Sequence, residues 1–387
     1  LWLSGGLCCQ QQIADLPNRK NPDSLGRPPN LISLRRKEQL RLPVEAPMNF
    51  SSDNVTPICP EILAAIAAES DASALPYGAD DKSQQLDATF SELFGRDVCV
   101  IPVATGTAAN VIGLAGLVSP FGGVVCHHQS HINVTESTGV AFYGGGAKLL
   151  GMDGPSAKIE AHALDAYLTN HVSNGMHSVD PECVAITQST EFGTVYSVDE
   201  IQAIGSVCQN HKMRLFMDGA RFANAVAALD CHPADITWKA GVDVLSFGAT
   251  KNGALAVDAI ILFDADLRRK TEQNRKRGGH LFSKHRYLAA QLLAYLEDDL
   301  WLRNARHANK AAQSLAKSLS TLGATPAFAP QGNELFIHME TALADQLRDA
   351  GIVFRPWPSL GRDAYRFVCA WNSPIKKIKT LPDTLGK

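Results

Sequence analysis

Ser246-Phe-Gly-Ala-Thr-Lys251-Asn252 closes one apolar run of this chain, and Met217-Asp218-Gly-Ala-Arg221 closes another. The runs themselves are Val242-Asp-Val-Leu-Ser-Phe247 and Arg214-Leu-Phe-Met-Asp218. Each ends abruptly in polar chemistry. Strands of a buried parallel sheet deliver functional groups in this way, at their carboxyl ends. The two groups are 251 − 218 = 33 residues apart, room for one helix and one strand between them. Neither motif means much alone, because Asp-Gly-Ala-Arg and Thr-Lys are both common loop text. The pair in this order suits pyridoxal phosphate. The lysine forms a Schiff base, and the acid pairs with the pyridine nitrogen so that the ring accepts electrons.

The same alternation extends outward in both directions. Strands are expected at 98–103, 123–126, 147–151, 183–187 and 258–263, with helical text between most of them. Pro60 opens a helix that runs to Ala68, and Gln85–Phe94 is an amphipathic helix that Gly95 stops. Strands alternating with helices predict an α/β fold with a mostly parallel sheet. A long helical region near 284–319 follows. Then Glu334–Met339, a helix at 341–350, Val353-Phe354 and Tyr365–Ala370 predict a small α+β domain. The stretch from Pro374 onward reads poorly as a closing helix. The expected division is an extension at 1–47, a large cofactor-binding domain at 48–300 and a small domain at 301–387. Residues 1–47 carry Pro17, Pro22, Pro28, Pro29, Pro43 and Pro47 and no lasting period, so they are expected to be disordered.

Composition narrows the function classes. The 387 residues allow about two domains at roughly 150 residues each. A net charge of −3 recommends neither a nucleic-acid nor a membrane partner. No apolar run reaches the ~18 residues of a membrane-spanning helix. The nine cysteines are scattered and form no Cys-x-x-Cys pair, which suits reduced thiols in a cytoplasmic protein.

Other residues collect around the lysine and the acid. Thr105-Gly106-Thr107 opens a helix after a strand. Its amides and hydroxyls can cap that helix or, beside a Schiff-base lysine, hold a phosphate. His131 follows the strand at 123–126 and can stack on a cofactor ring or move protons. A metal pair of His127 and His131 lacks a third ligand, and no metal is expected. Arg366 lies inside an apolar strand, where a charge needs a partner: a substrate carboxylate or a structural ion pair.

The ordered set Ser-Asp-Asn-Val-Thr (52–56), Tyr-Gly-Ala-Asp (77–80), Thr-Gly-Thr-Ala-Ala-Asn (105–110), Gln-Ser-His (129–131), Asp-Gly-Ala-Arg (218–221), Thr-Lys (250–251) and Arg366 resembles the low-specificity L-threonine aldolases. These are β-eliminating lyases of pyridoxal-phosphate fold type I. The match runs from Met48 to about Trp371. The resemblance implies a fold-type-I large domain, pyridoxal 5'-phosphate as cofactor, and cleavage of L-threonine, L-allo-threonine and related β-hydroxy-α-amino acids to glycine and an aldehyde. It also implies a homo-oligomer, a dimer or tetramer. Lys251 becomes the Schiff-base lysine, Asp218 the pyridinium partner and Arg221 a neighbour of the phenolic oxygen. Thr105, Gly106 and Thr107 hold the phosphate, and His131 stacks on the ring. Ser52, Tyr77 and Arg366 meet the substrate. A second carboxylate-binding arginine of the family is not evident after Gly278-Gly279, and Lys284 is the best candidate for that role. Glu191 stands where many members carry a histidine. It is expected either to take the β-hydroxyl proton or to orient Lys251, His131 or a helix N-terminus. The alternatives to aldol cleavage are β-elimination or transamination on the same fold, or a silent cofactor-binding protein.

Overall fold

Seven strands form the central sheet of the computed structural model, which describes residues 47–386. In chain order they are β1 (Cys99–Val103), β2 (Gly123–His127), β3 (Lys148–Met152), β4 (Pro181–Thr187), β5 (Arg214–Gly219), β6 (Val244–Gly248) and β7 (Asp258–Leu262). Their order across the sheet is β1-β7-β6-β5-β4-β2-β3. All neighbours run parallel except β7, which is antiparallel to both β1 and β6. The sheet is therefore mostly parallel, and its strands read as continuous apolar runs because both faces are covered. The expected extension at 1–47 lies outside the described residues apart from Pro47.

Successive side chains of β5 serve opposite faces. Leu215 and Met217 join a core with Phe90 and Phe94 of helix α2 (Asp81–Phe94) and with Ile201 and Ile204 of helix Val198–Asn210. Phe216 joins the other core, with Val111, Ile112 and Leu114 of helix α3 (Gly106–Leu117). Helix α1 (Pro60–Ala68) carries Pro at its first turn, as its sequence predicts. Gly113 lets α3 lie close on the sheet, since a Cβ there would come within 2.9 Å of the Phe216 ring. That approach places Asn110 of α3 on the same sheet face as Asp218, two residues beyond Phe216.

Beyond the sheet the helical region divides. Asp298 and Asp299 adopt left-handed backbone, φ 50° and 55°, and separate Arg286–Leu296 from the long helix α4 (Leu300–Thr321). A small antiparallel sheet follows, with β8 (Glu334–His338) and β9 (Ala364–Val368) at its centre. Leu335, Ile337, Tyr365 and Phe367 point into a core with Leu315 and Leu319. Glu334 and Arg366, one residue out of phase, take the opposite face.

The C-terminal expectation needs correcting. Ile375–Leu385 is a helix, α5, that buries Ile378 and Leu381 against α4. Pro382 has no N–H to give the Ile378 carbonyl. The Ser318 hydroxyl donates to that carbonyl instead, at 2.8 Å. The helix survives its proline because a neighbouring helix supplies the missing donor.

Candidate active site

The parallel strands put their carboxyl ends in one row. Register pairs Thr187 with Asp218 and Asp218 with Ser246. The reversed strand β7 brings its first residue, Asp258, to the same edge, opposite Val103 and Gly248. A cavity of about 340 Å³ opens there. Lys251, Asp218, His131, Glu191, Arg221, Thr105, Gly106 and Thr107 all line it.

Asp218 is buried and anchored. Asn110 Nδ2 donates to Oδ2 at 2.8 Å, and the Ala220 N–H donates to Oδ1 at 3.0 Å. Lys251 sits in a tight turn after β6, and its Nζ makes no hydrogen bond among the described residues. Asp258 shapes that turn. Its Oδ1 accepts from the N–H groups of Ala249 at 2.7 Å and Thr250 at 3.2 Å. Burial pushes the Asp258 carboxyl up to about 6, against the pull of those two donors. Opposite, Thr105 caps α3 by accepting from the Ala108 N–H at 3.1 Å. The first-turn amides of Gly106 and Thr107 have no intrahelical acceptor. A Cβ at Gly106 would come to 3.3 Å from Asp258 Oδ2, so glycine keeps this corner open.

His131 begins a short helical turn after β2. Its Nδ1 lies 2.7 Å from Glu136 Oε1, and Asn110 Nδ2 donates to that same oxygen at 2.8 Å. Asn110 thus ties Glu136 and Asp218 together. The Glu136 bond raises the His131 pKa, outweighing the opposing effect of burial. Burial, with Asp218 nearby, raises Glu136 in turn despite its bond to His131. Replacing Glu136 with Gln is expected to lower the His131 titration midpoint, because a neutral amide cannot favour the imidazolium. Histidine NMR of the full chain measures this, and an unmoved midpoint would show that Glu136 does not set it.

Arg221 lines the cavity but is fully engaged. Its Nε and Nη2 donate to both oxygens of Asp53, at 2.8 and 3.0 Å, and Nη1 meets Glu334 Oε2 at 3.0 Å. Burial alone would lower its pKa, but Asp53 and Glu334 hold it raised. Burial would likewise raise Asp53, and Arg221 and Lys251 hold it lowered.

The remaining expected residues stand elsewhere. Ser52 caps the turn Asp53–Val55, and its neighbour Asn54 is the one that reaches the cavity. Arg366 donates to the Ser51 carbonyl at 3.2 Å, faces Glu334 at 3.8 Å and lies 4.8 Å over the Trp357 ring. Burial lowers its pKa, partly offset by Glu334. Tyr77 is exposed. Its N–H donates to the Ser283 carbonyl at 2.9 Å, and Lys276 sits 5.0 Å over its ring. That places the Tyr77 and Lys284 segments together, outside the Lys251 cavity. His127 is turned to the Gly154 carbonyl and the Gln129 N–H, away from any pairing with His131.

Glu136, Asp258 and Glu334 were not singled out by sequence. Asp258 left a signal, an acid opening the apolar run 258–262. Glu334 left the same signal at the start of 334–337, and Glu136, in a polar turn, left none.

The residues present fit pyridoxal phosphate. Four of the buried polar atoms without a partner belong to this cavity's lining: Asn110 Oδ1, Glu136 Oε2, Ser189 Oγ and Glu191 Oε2. An amine, an anchored carboxylate and a helix N-terminus surround one space, and together they match an aldehyde, a pyridine nitrogen and a phosphate.

Comparison with known proteins agrees with this chemistry. Residues 49–342 match the family model described as beta-eliminating lyase. The low specificity L-threonine aldolase of Pseudomonas aeruginosa is 37% identical over 334 residues, 86% of this chain and 95% of that protein. The enzyme of the same description from a Pseudomonas species is 36% identical, covering 86% of this chain and 95% of its own. The solved threonine aldolase of Leishmania major superposes with a TM-score of 0.81 at 26% identity, covering 88% of this chain and 99% of that one. An aspartate aminotransferase from Rhodobacter sphaeroides, 14% identical with a TM-score of 0.63 over 88% of this chain and 93% of its own, shares the fold alone.

Proposed function

The chain belongs to the low-specificity L-threonine aldolases of the β-eliminating lyase family, and from that premise we propose how its residues divide the work of cleaving L-threonine, L-allo-threonine and related substrates. It is a lyase of amino acids, and its cofactor is pyridoxal phosphate. The products are glycine and an aldehyde. One observation carries the assignment of roles: Lys251 Nζ, free of hydrogen bonds, shares a cavity with the anchored Asp218 carboxylate and the open N-terminus of α3.

When bound, the cofactor supplies a sink for the electron pair released as the Cα–Cβ bond breaks. Lys251 would hold it covalently through Nζ. Asp218, kept in place by Asn110 and Ala220, would hold a proton on the pyridine nitrogen. The Gly106 and Thr107 amides, with the Thr105 corner, would hold the phosphate. His131 would sit beside the ring, its Nδ1 tied to Glu136. Arg221 would act near the phenolic oxygen from its fixed place between Asp53 and Glu334. Ser52 and Arg366, set just beyond the cavity lining beside Asn54 and the Ser51 carbonyl, would bind a substrate carboxylate reaching out of the cavity. Lys251, the one lysine among the described residues that line the cavity, would also be placed to return a proton to Cα.

Tyr77 and Lys284 support a second element of the reading. They lie on an exposed segment outside the cavity, so a role at substrate requires the site of another copy in a homo-oligomer, a dimer or tetramer. Residues 48–300 then form the cofactor domain and 301–387 the small domain. No helix among the described residues is long and apolar enough to cross a membrane, and the cysteines among them are free, which fits a cytoplasmic setting.

Incubation with L-threonine, L-allo-threonine and phenylserine in the presence of cofactor tests the activity. Acetaldehyde or benzaldehyde should form together with glycine in equal amounts. Formation of a keto acid in place of an aldehyde would assign the site to elimination or transamination instead. A visible absorption band from bound cofactor with no turnover of any of the three substrates would leave the silent alternative.

A further inference from the structure

Glu191 lies four residues beyond the end of β4, and one of its oxygens does two jobs. Oε1 accepts from the Thr187 hydroxyl at 2.8 Å and from the His131 backbone N–H at 2.8 Å. Ser130 gives the His131 turn no side-chain cap, and among the described residues the side chain that accepts from its first N–H is that of Glu191, 60 residues away in sequence. The other oxygen, Oε2, is buried with no donor among the described residues. An ionised carboxylate needs several donors once it leaves water, and a bare buried oxygen is costly. A protonated one costs less, because it carries no charge. The charges around it point the same way. The charge of Asp218 from β5 raises its pKa, and Glu136 holds the ring of the same histidine. Lys251, after β6, lines the same cavity. Cys126 of β2 and Tyr196 beyond β4 are also titratable neighbours and carry no positive charge, while His131, whose backbone it holds, is a titratable neighbour that can.

We propose that Glu191 is a positioning residue that, as the neutral acid, ties the His131 turn to the end of β4 and so fixes the imidazole in the cavity. This rests on the aldolase reading for its kinetic consequence, but not for its structural one. Burial, reinforced by Asp218, pushes the Glu191 carboxyl up to about 7. As pH rises through that range, a further negative charge appears in a buried site beside Asp218, and its cost exceeds the gain from the Thr187 and His131 donors, which by themselves favour the ionised form. The sign of the stability effect follows. The folded protein keeps the proton up to about 7, whereas an exposed glutamate releases it near 4.5. Stability from this group is complete below the lower value and falls as pH rises toward the upper one.

Two substitutions separate this role from direct proton transfer. In Glu191→Gln the amide carbonyl can accept both hydrogen bonds, and nothing ionises. In Glu191→Ala both bonds are lost. The holoenzyme of each is examined by hydrogen exchange of segment 131–135, by the infrared band of a protonated carboxyl group and by the pH profile of threonine cleavage. The Gln variant is expected to keep exchange protection and a neutral-pH kcat within about 3-fold of the parent. It should lack the infrared band that titrates near 7 in the parent and the activity loss that accompanies it. The Ala variant should lose protection and fall by roughly 10-fold or more in kcat, the scale of two lost hydrogen bonds between neutral groups. Loss in the Gln variant equal to that in the Ala variant would overturn the proposal, because the carboxyl's own proton chemistry would then be required. Full protection and full kcat in the Ala variant would overturn it as well. A parent enzyme that cleaves no β-hydroxy amino acid would refute the aldolase reading, while the exchange and infrared results would still decide the role of Glu191.

Discussion

Lys251→Ala lowers threonine cleavage by about 10³-fold or more and removes the visible absorption of the bound cofactor, while the fold is kept. Three features of the structure lead to this expectation. Lys251 is the one lysine among the described residues that line the cavity, so no second amine is at hand to replace it. Its Nζ makes no hydrogen bond there, so its removal leaves no buried partner unsatisfied. The turn that carries it is held by Asp258 through backbone N–H groups, which alanine retains. The melting temperature should therefore stay within a few degrees of the parent, as for other substitutions that break no packing or pairing. Absorption spectra, steady-state kinetics and thermal denaturation of the same preparation measure all three. Cleavage at the parent's rate would refute the assignment of Lys251. A collapse in melting temperature would show that the turn depends on its side chain.

Asp218→Asn should cost roughly 10²-fold to 10³-fold in kcat, the scale seen when one electrostatic partner of a developing charge is removed. The amide carries no charge to hold a proton on a pyridine nitrogen. It also cannot satisfy its neighbours as the carboxylate does. Asn110 Nδ2 and the Ala220 N–H both donate toward residue 218, and an amide offers only one oxygen to accept them. One donor is left facing another. A second consequence can be read without turnover. The Asp218 charge raises the pKa of Glu191, Glu136 and His131. Removing it should move all three downward, visible as a lower His131 midpoint by NMR and an earlier loss of the Glu191 carboxyl band. Near-parental kcat would mean that another group serves the ring nitrogen. Unmoved titrations would mean that the three groups do not sense Asp218.

Several features of this molecule are determined by local sequence alone. Apolar runs that stop at Asp218 and before Lys251 define strands and their polar ends, because a side chain's period and the point where it breaks are local properties. Alternation of such runs with helical text defines the α/β class, and parallel strands then bring their carboxyl ends into one row. That is why Asp218, Lys251, His131 and the Thr105–Thr107 corner are legible in the sequence as one group, and they line one cavity.

The partners of those groups were settled only by tertiary structure. Arg221 is held by Asp53, 168 residues away, and by Glu334 on the small sheet. Asp258 reaches the site because the last strand of the large sheet runs backward, a matter of topology that its own residues do not encode. Asn110 bridges Glu136 and Asp218 because Gly113 lets its helix lie close on the strand. Helix α5 tolerates Pro382 because Ser318 of another helix supplies a hydrogen bond. In each case a buried charge or an unpaired backbone group needs a partner. Which partner it finds depends on the packing of segments far apart in the chain, where hydrophobic periodicity sets the contact and only the folded geometry sets the pairing.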